Sequence, residues 1–144
     1  MAVVFEDKFM EVQSDMVSLA LELAAEEAID KIYLYASIEN ESVLFNAFYS
    51  RGMNILKLSD VEKSKEKIRA FLRLGTDDVE QLVSVCKSYQ KPIPTEIKAI
   101  YDADKNSFDS NYQFSTVGLE EKGKSPGVVF LEWRDMVQFD LQKG

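Results

Sequence analysis

No histidine occurs among the 144 residues, and there is a single cysteine, Cys86. The first absence removes the usual proton carrier near neutral pH, the triad base and the commonest metal ligand together. Cys86 forms no internal disulfide, and without a histidine it has no ready base to make a nucleophilic thiolate. Glycine and proline are scarce, six and three in all. Gly52, Gly75, Gly118, Gly123 and Gly127 fall in separate turns with no phosphate-cradling spacing, so no nucleotide loop follows. No apolar run approaches the roughly 18 residues of a membrane span. The start, MAVVFEDKFMEVQSD, has no basic region leading into an apolar stretch. The expectation is a soluble, cytoplasmic protein without a cofactor or metal.

What is present fits one globular domain over residues 1–144: 46% of residues are hydrophobic and 29% charged. The formal net charge is −8, which argues against a surface that tracks a phosphate backbone. Its distribution is uneven. Residues 1–50 hold ten acids against two bases, Lys8 and Lys31, whereas residues 51–144 hold fifteen of each sign. A one-signed first third points to an interaction surface.

Phe5, Phe9, Val12, Met16, Leu19 and Leu23 recur in steps of three and four, predicting an amphipathic helix from about residue 4 to 29. Asp7, Glu11, Asp15, Glu22 and Glu26 cluster beside that stripe, so the helix offers a greasy face and an acidic ridge. The period then changes to two. In Lys31 to Ile38, Ile32, Leu34, Ala36 and Ile38 share one face, and Tyr33, Tyr35 and Ser37 share the other. Residues 39–42 form a polar turn, Val43 to Tyr49 a second strand, Arg51-Gly52 a turn, and Met53 to Lys57 a short third strand.

Ser59 to Glu62 matches a capping box, predicting a helix start there. That helix is expected to break near Gly75 and resume through about Tyr89, with Val79, Leu82, Val83, Cys86 and Tyr89 on one face. Pro92 and Pro94 stop it. Glu96 to Tyr101 and Phe108 to Phe114 read as a hairpin, Thr116 to Gly127 as a polar loop, and Val128 to Leu141 as a last helix. In that helix, Val129, Trp133, Met136, Val137 and Asp140 are spaced for one side. The order α-β-β-β-α-β-β-α defines an α+β class, an antiparallel sheet of about five strands packed against helices on one face.

Candidate chemistry is thin. Asp102, Asp104 and Asn106 begin like a calcium loop, but Ser107 and Gln113 stand where such a loop needs Gly and a bidentate Glu, so a plain turn is expected. Cys86 reads as a core thiol. The pairs Glu26/Glu27, Glu39/Glu41 and Asp77/Asp78 lie at predicted helix ends or turns, where acids are common, which weighs against two-carboxylate catalysis. The basic stretch Lys63 to Arg73 is interleaved with Glu66 and reads as a solvated face. The acidic ridge differs in being long and one-signed. It is either a solvated face or the complement of a basic partner.

Three stretches resemble the YezG-like immunity proteins, small acidic antitoxins paired with LXG-type polymorphic toxins. Lys31 to Ile38 looks like that family's first strand, directly after a long helix. Ile100-Tyr101-Asp102 through Phe108 to Phe114 looks like its late hairpin with an Asp-rich turn, and Ser125-Pro126 to Trp133 like the start of its last helix. The resemblance implies a non-enzymatic protein that binds and neutralises a cognate toxin, commonly a nuclease, by covering its active surface. It carries over no contact residues. From the charge asymmetry, the expected partner-binding residues are Asp7, Glu11, Asp15, Glu22 and Glu26, with Glu39 and Glu41 at the adjacent turn. The competing expectation is a self-associating module whose exposed aromatic face, Tyr33, Tyr35 and Phe48, makes a homodimer.

Overall fold

The computed structural model describes residues 3–25, 27–39, 42–114 and 124–143. Helix α1 (Val3–Leu23) leads into strands β1 (Lys31–Glu39), β2 (Ser42–Arg51) and β3 (Asn54–Leu56). A single-turn helix α2 (Leu58–Val61) and the long α3 (Lys65–Ser88) follow, then β4 (Glu96–Asp102), β5 (Ser107–Gln113) and α4 (Pro126–Lys143). The strands form one antiparallel sheet in the order β3-β2-β1-β4-β5. The fold is α+β, with the predicted element order and one added helical turn. No helix among the described residues is long and apolar enough to cross a membrane.

β1 lies at the centre, and both of its faces are covered. Ile32, Leu34 and Ala36 join Phe45, Ala47 and Tyr49 of β2 and Ile97 and Ala99 of β4 in the main core under α1 and α3. Tyr33, Tyr35 and Phe48 belong to a second core on the opposite face, closed by Phe130 with Val129, Trp133 and Val137 of α4. The expectation that helices cover one face is therefore corrected: α4 takes the other. With it goes the exposed aromatic face, since Tyr33 is 3% exposed and Tyr35 and Phe48 are fully buried. Tyr33 stacks on Phe48 at 4.5 Å and 8°, and Trp133 meets both rings edge-on at 5.9 and 5.2 Å. Such pairs add about 0.5–1.5 kcal/mol each beyond area burial. In α4 it is Phe130 that faces inward, whereas Met136 is 62% exposed and Asp140 lies on the surface.

α1 ends at Leu23, short of the predicted residue 29. The segment that follows is drawn instead to the β2–β3 turn. Arg51 pairs with Glu27 at 3.2 Å and donates to the Ala28 carbonyl, the Asp30 amide donates to the Ser50 carbonyl, and the Asp30 carboxylate accepts the Gly52 amide at 2.7 Å. Gly52 sits at φ +62°, a turn conformation that a side chain disfavours.

The Ser59–Glu62 capping box is not formed. α2 stops in extended backbone at Glu62, whose carboxylate turns forward to accept the Ser64 amide. Ser64 is the N-cap of α3, its hydroxyl accepting from the Lys67 amide. Gly75 does not break this helix; it is buried in the middle of it, against the ring of Phe45. The break expected there rested on glycine's low helix propensity, which tertiary packing overrides.

The two sheet edges are treated differently. On β3, the side-chain amide of Gln138 accepts from the Ile55 amide at 2.9 Å and donates to the Met53 carbonyl at 3.0 Å, so α4 supplies a substitute for a neighbouring strand. β5 is the other outer strand and follows the turn predicted at 102–107, which narrows to 103–106: Asp102 accepts from the Asp104 and Lys105 amides, and Tyr101 donates to Asn106, which takes φ +50°. β5 is tied to α1 through Gln13, buried at 1% exposure, which donates to the Tyr112 hydroxyl and accepts from Ser110.

Candidate functional site

The acidic ridge lies on a helix pair. Phe5, at the start of α1, packs on Tyr89, just after α3, at 5.7 Å, and Leu23, at the end of α1, lines one cleft with Phe71 near the start of α3. The two helices therefore run antiparallel. Their apolar faces point into the main core, which places the neighbouring faces along an exposed seam. Asp7, Glu11, Asp15 and Glu22 are all exposed, and none forms an ion pair with a described residue.

Along this seam the acids meet two different surroundings. Glu11 and Asp15, with Lys8, border a narrow crevice of about 70 Å³ whose far wall is Gln81 and Val85 of α3. Glu22 stands on the rim of a larger cleft of about 380 Å³. Leu19, Leu23, Ala70, Phe71 and Leu74 give that cleft an apolar floor, and Glu62 and Lys67 form its other rim. An apolar pocket with charges at its margin is the usual form of a binding hot spot, because the rim keeps water from the anchor.

α3 adds an acid that sequence reasoning placed elsewhere. Asp78 lies in the middle of α3, not at a helix end, and its Oδ2 is buried without a hydrogen-bond partner among the described residues. Burial, with Asp15 and Asp77 nearby, raises its carboxyl to about 6. The adjacent pair Asp77/Asp78 was visible as a motif. Only knowing that α3 continues through Gly75 puts Asp78 opposite Asp15.

The remaining predicted residues divide. Glu26 and Glu41 lie outside the described residues. Glu39 ends β1 in the alternation of Tyr33, Tyr35 and Ser37, so it belongs to the α4 face of the sheet and not to the α1 ridge. One of its carboxylate oxygens is buried without a hydrogen-bond partner among the described residues. Nearby, the Tyr35 hydroxyl donates to the buried Glu96 at 2.8 Å, and Lys98 lies 4.0 Å from the other oxygen of that carboxylate. Burial and Glu96 push the Tyr35 phenol far up.

Burial raises the phenols of Tyr33 and Tyr49 and the thiol of Cys86, which is fully enclosed in the core. Among the described residues no three Cys, Asp or Glu side chains gather as metal ligands would. The basic stretch of α3 is exposed and has one ion pair there, Lys67 with Glu62 at 4.0 Å.

Comparison with known proteins found no matching family model and no similar curated protein.

Proposed function

We propose that this protein is an immunity protein, a stoichiometric inhibitor that binds a cognate bacterial toxin and covers its active surface. One observation carries the reading: Asp7, Glu11, Asp15 and Glu22 of α1 are exposed and form no ion pair with a described residue, and the last three border the clefts between α1 and α3, one of them apolar. Opposite potentials accelerate encounter and set specificity, and an apolar anchor seated in the cleft supplies residence time. A nuclease is the toxin class this fits best, because a site built to attract phosphate is basic. The resemblance of the β1, β4–β5 and α4 segments to YezG-like immunity proteins supports the same reading.

The experiment is capture of partners from the native organism with this chain as bait, followed by mass spectrometry and a nuclease assay on the recovered protein. A basic nuclease silenced at one-to-one stoichiometry is the expected result. Recovery of nothing but the bait, from cells shown to express a neighbouring toxin gene, would remove the reading. Self-association is not favoured as a second reading, because the aromatic face on which it rested is the core beneath α4.

A further inference from the structure

A separate cleft of about 270 Å³ lies where β2, α2, α3 and α4 meet, and no residue of α1 lines it. Its charged lining consists of Lys57 and Arg134 alone, beside Asn46, Ser59, Ile68 and Phe130. The clefts of the α1–α3 seam each include carboxylates, Glu22 and Glu62 in one and Glu11 and Asp15 in the other. This one has none, in a chain of net charge −8.

The local structure leaves both cations available. Lys57 precedes α2, and its backbone amide, not its ammonium group, is held by Asp60 at 2.7 Å. The Arg134 guanidinium lies 6.0 Å from the centroid of the Phe130 ring, one helical turn earlier. Neither forms an ion pair with a described residue. Two cations lining one cleft that has no carboxylate in its lining make it favourable for an anion.

The neutral lining narrows the choice of anion. Asn46 Oδ1 accepts from the Ala47 amide at 2.8 Å, which leaves the NH₂ end of Asn46 as a donor. Ser59 adds a hydroxyl. A planar guanidinium with an ammonium and two neutral donors suits a tetrahedral oxyanion of about two charges better than a carboxylate of one. Leu58, Ile68 and the exposed Leu131 offer an apolar wall beside it. The volume of about 270 Å³ falls just below the range of drug-sized ligand pockets, roughly 300–1,000 Å³, which excludes a dinucleotide.

We propose that this cleft binds a phosphate monoester carrying a small apolar or aromatic body, with Arg134 and Lys57 holding the phosphate and Ile68 and Leu131 packing on the body. The site is independent of the immunity reading and survives its failure.

The test is titration of the ¹⁵N-labelled full chain with phenyl phosphate, inorganic phosphate, benzoate and a short phosphotyrosine peptide in parallel. Saturable shifts at the amides of Asn46, Ala47, Ser59 and Leu131 are expected. Phenyl phosphate should bind about tenfold tighter than inorganic phosphate or benzoate. Lys57→Glu, a change at an exposed side chain, should weaken it by about tenfold or more, as should Arg134→Gln in a variant with an unchanged melting curve. Tighter binding of the peptide than of phenyl phosphate assigns the phosphate to a modified side chain of a partner; equal or weaker binding assigns it to a free small molecule. Equal affinity for inorganic phosphate with shifts centred on Lys63 to Arg69, or phenyl phosphate binding unchanged by Lys57→Glu, overturns the proposal.

Discussion

The α carbon of Gly75 faces the ring of Phe45 so closely that a β carbon there would overlap the ring edge. Phe45 in turn packs on Phe71, one helical turn earlier on α3, at 5.4 Å. An exposed mid-helix glycine replaced by alanine gains about 1 kcal/mol. Here Gly75→Ala is expected to cost about 2 kcal/mol or more, because α3 must lift from β2 or Phe45 must leave its rotamer. Denaturant unfolding of a double-mutant cycle checks this. In a Phe45→Ala background the Gly75→Ala change should become neutral or stabilising, and an equal cost in both backgrounds would show that the contact is not the reason for the glycine.

Asp78 makes stability depend on pH in an uncommon direction. Its folded carboxyl titrates at about 6, above the ordinary carboxylate value near 4 that applies when the chain is unfolded. Between those values the folded state binds more protons than the unfolded state, so this group lets stability rise as pH falls through 6. Asp78→Asn should remove that rise and stabilise the protein at pH 7 by about 1 kcal/mol, a figure discounted for partial solvent access. Melting temperatures of both proteins from pH 4.5 to 7.5 check it; parallel curves would contradict the assignment.

Gln138 connects α4 to the edge of β3 through two hydrogen bonds. Gln138→Ala should cost about 1–2 kcal/mol and leave the edge of β3 open. Faster hydrogen exchange at the Ile55 amide, with the β1 amides unchanged, is the signature. Uniform acceleration would point to global destabilisation instead.

For the proposed toxin interface, Asp7, Glu11 and Glu22 are the carboxylates to reverse. Asp15 is left out because it neighbours Asp78, so its replacement would change helix packing as well as charge. The triple change to lysine should slow association and raise the Kd of the cognate complex by about tenfold or more, with the melting temperature nearly unchanged. Surface plasmon resonance at two salt concentrations measures both effects. Unchanged binding by a folded variant would place the interface elsewhere.

The readable parts of this fold were those set by period. The step of three and four from Phe5 to Leu23 and the alternation in Ile32 to Ile38 gave the first helix and the central strand to within a few residues, apart from the end of α1. The Asx chemistry of Asp102 gave the last hairpin turn. What one sequence left hidden was contact between distant elements. Gly75 looks like a stop signal until Phe45 is known to sit against it. Tyr33 and Tyr35 look solvent-facing because alternation says which side chains share a face, not whether another helix covers that face. The acids of α1 were legible as a ridge, while Asp78 across the seam and the leucine-lined cleft beside Glu22 required the pairing of α1 with α3.

Trp133 is the only tryptophan, and it is held edge-on to Tyr33 and Phe48 where α4 meets the sheet. Intrinsic fluorescence of the unmodified chain therefore reports whether α4 is seated, and is nearly blind to what happens beneath α1 and α3. A protein bound along the helix seam should leave the emission unmoved. A ligand held by Arg134, the residue next to Trp133 on α4, should change it, giving two binding events an optical separation that needs no label.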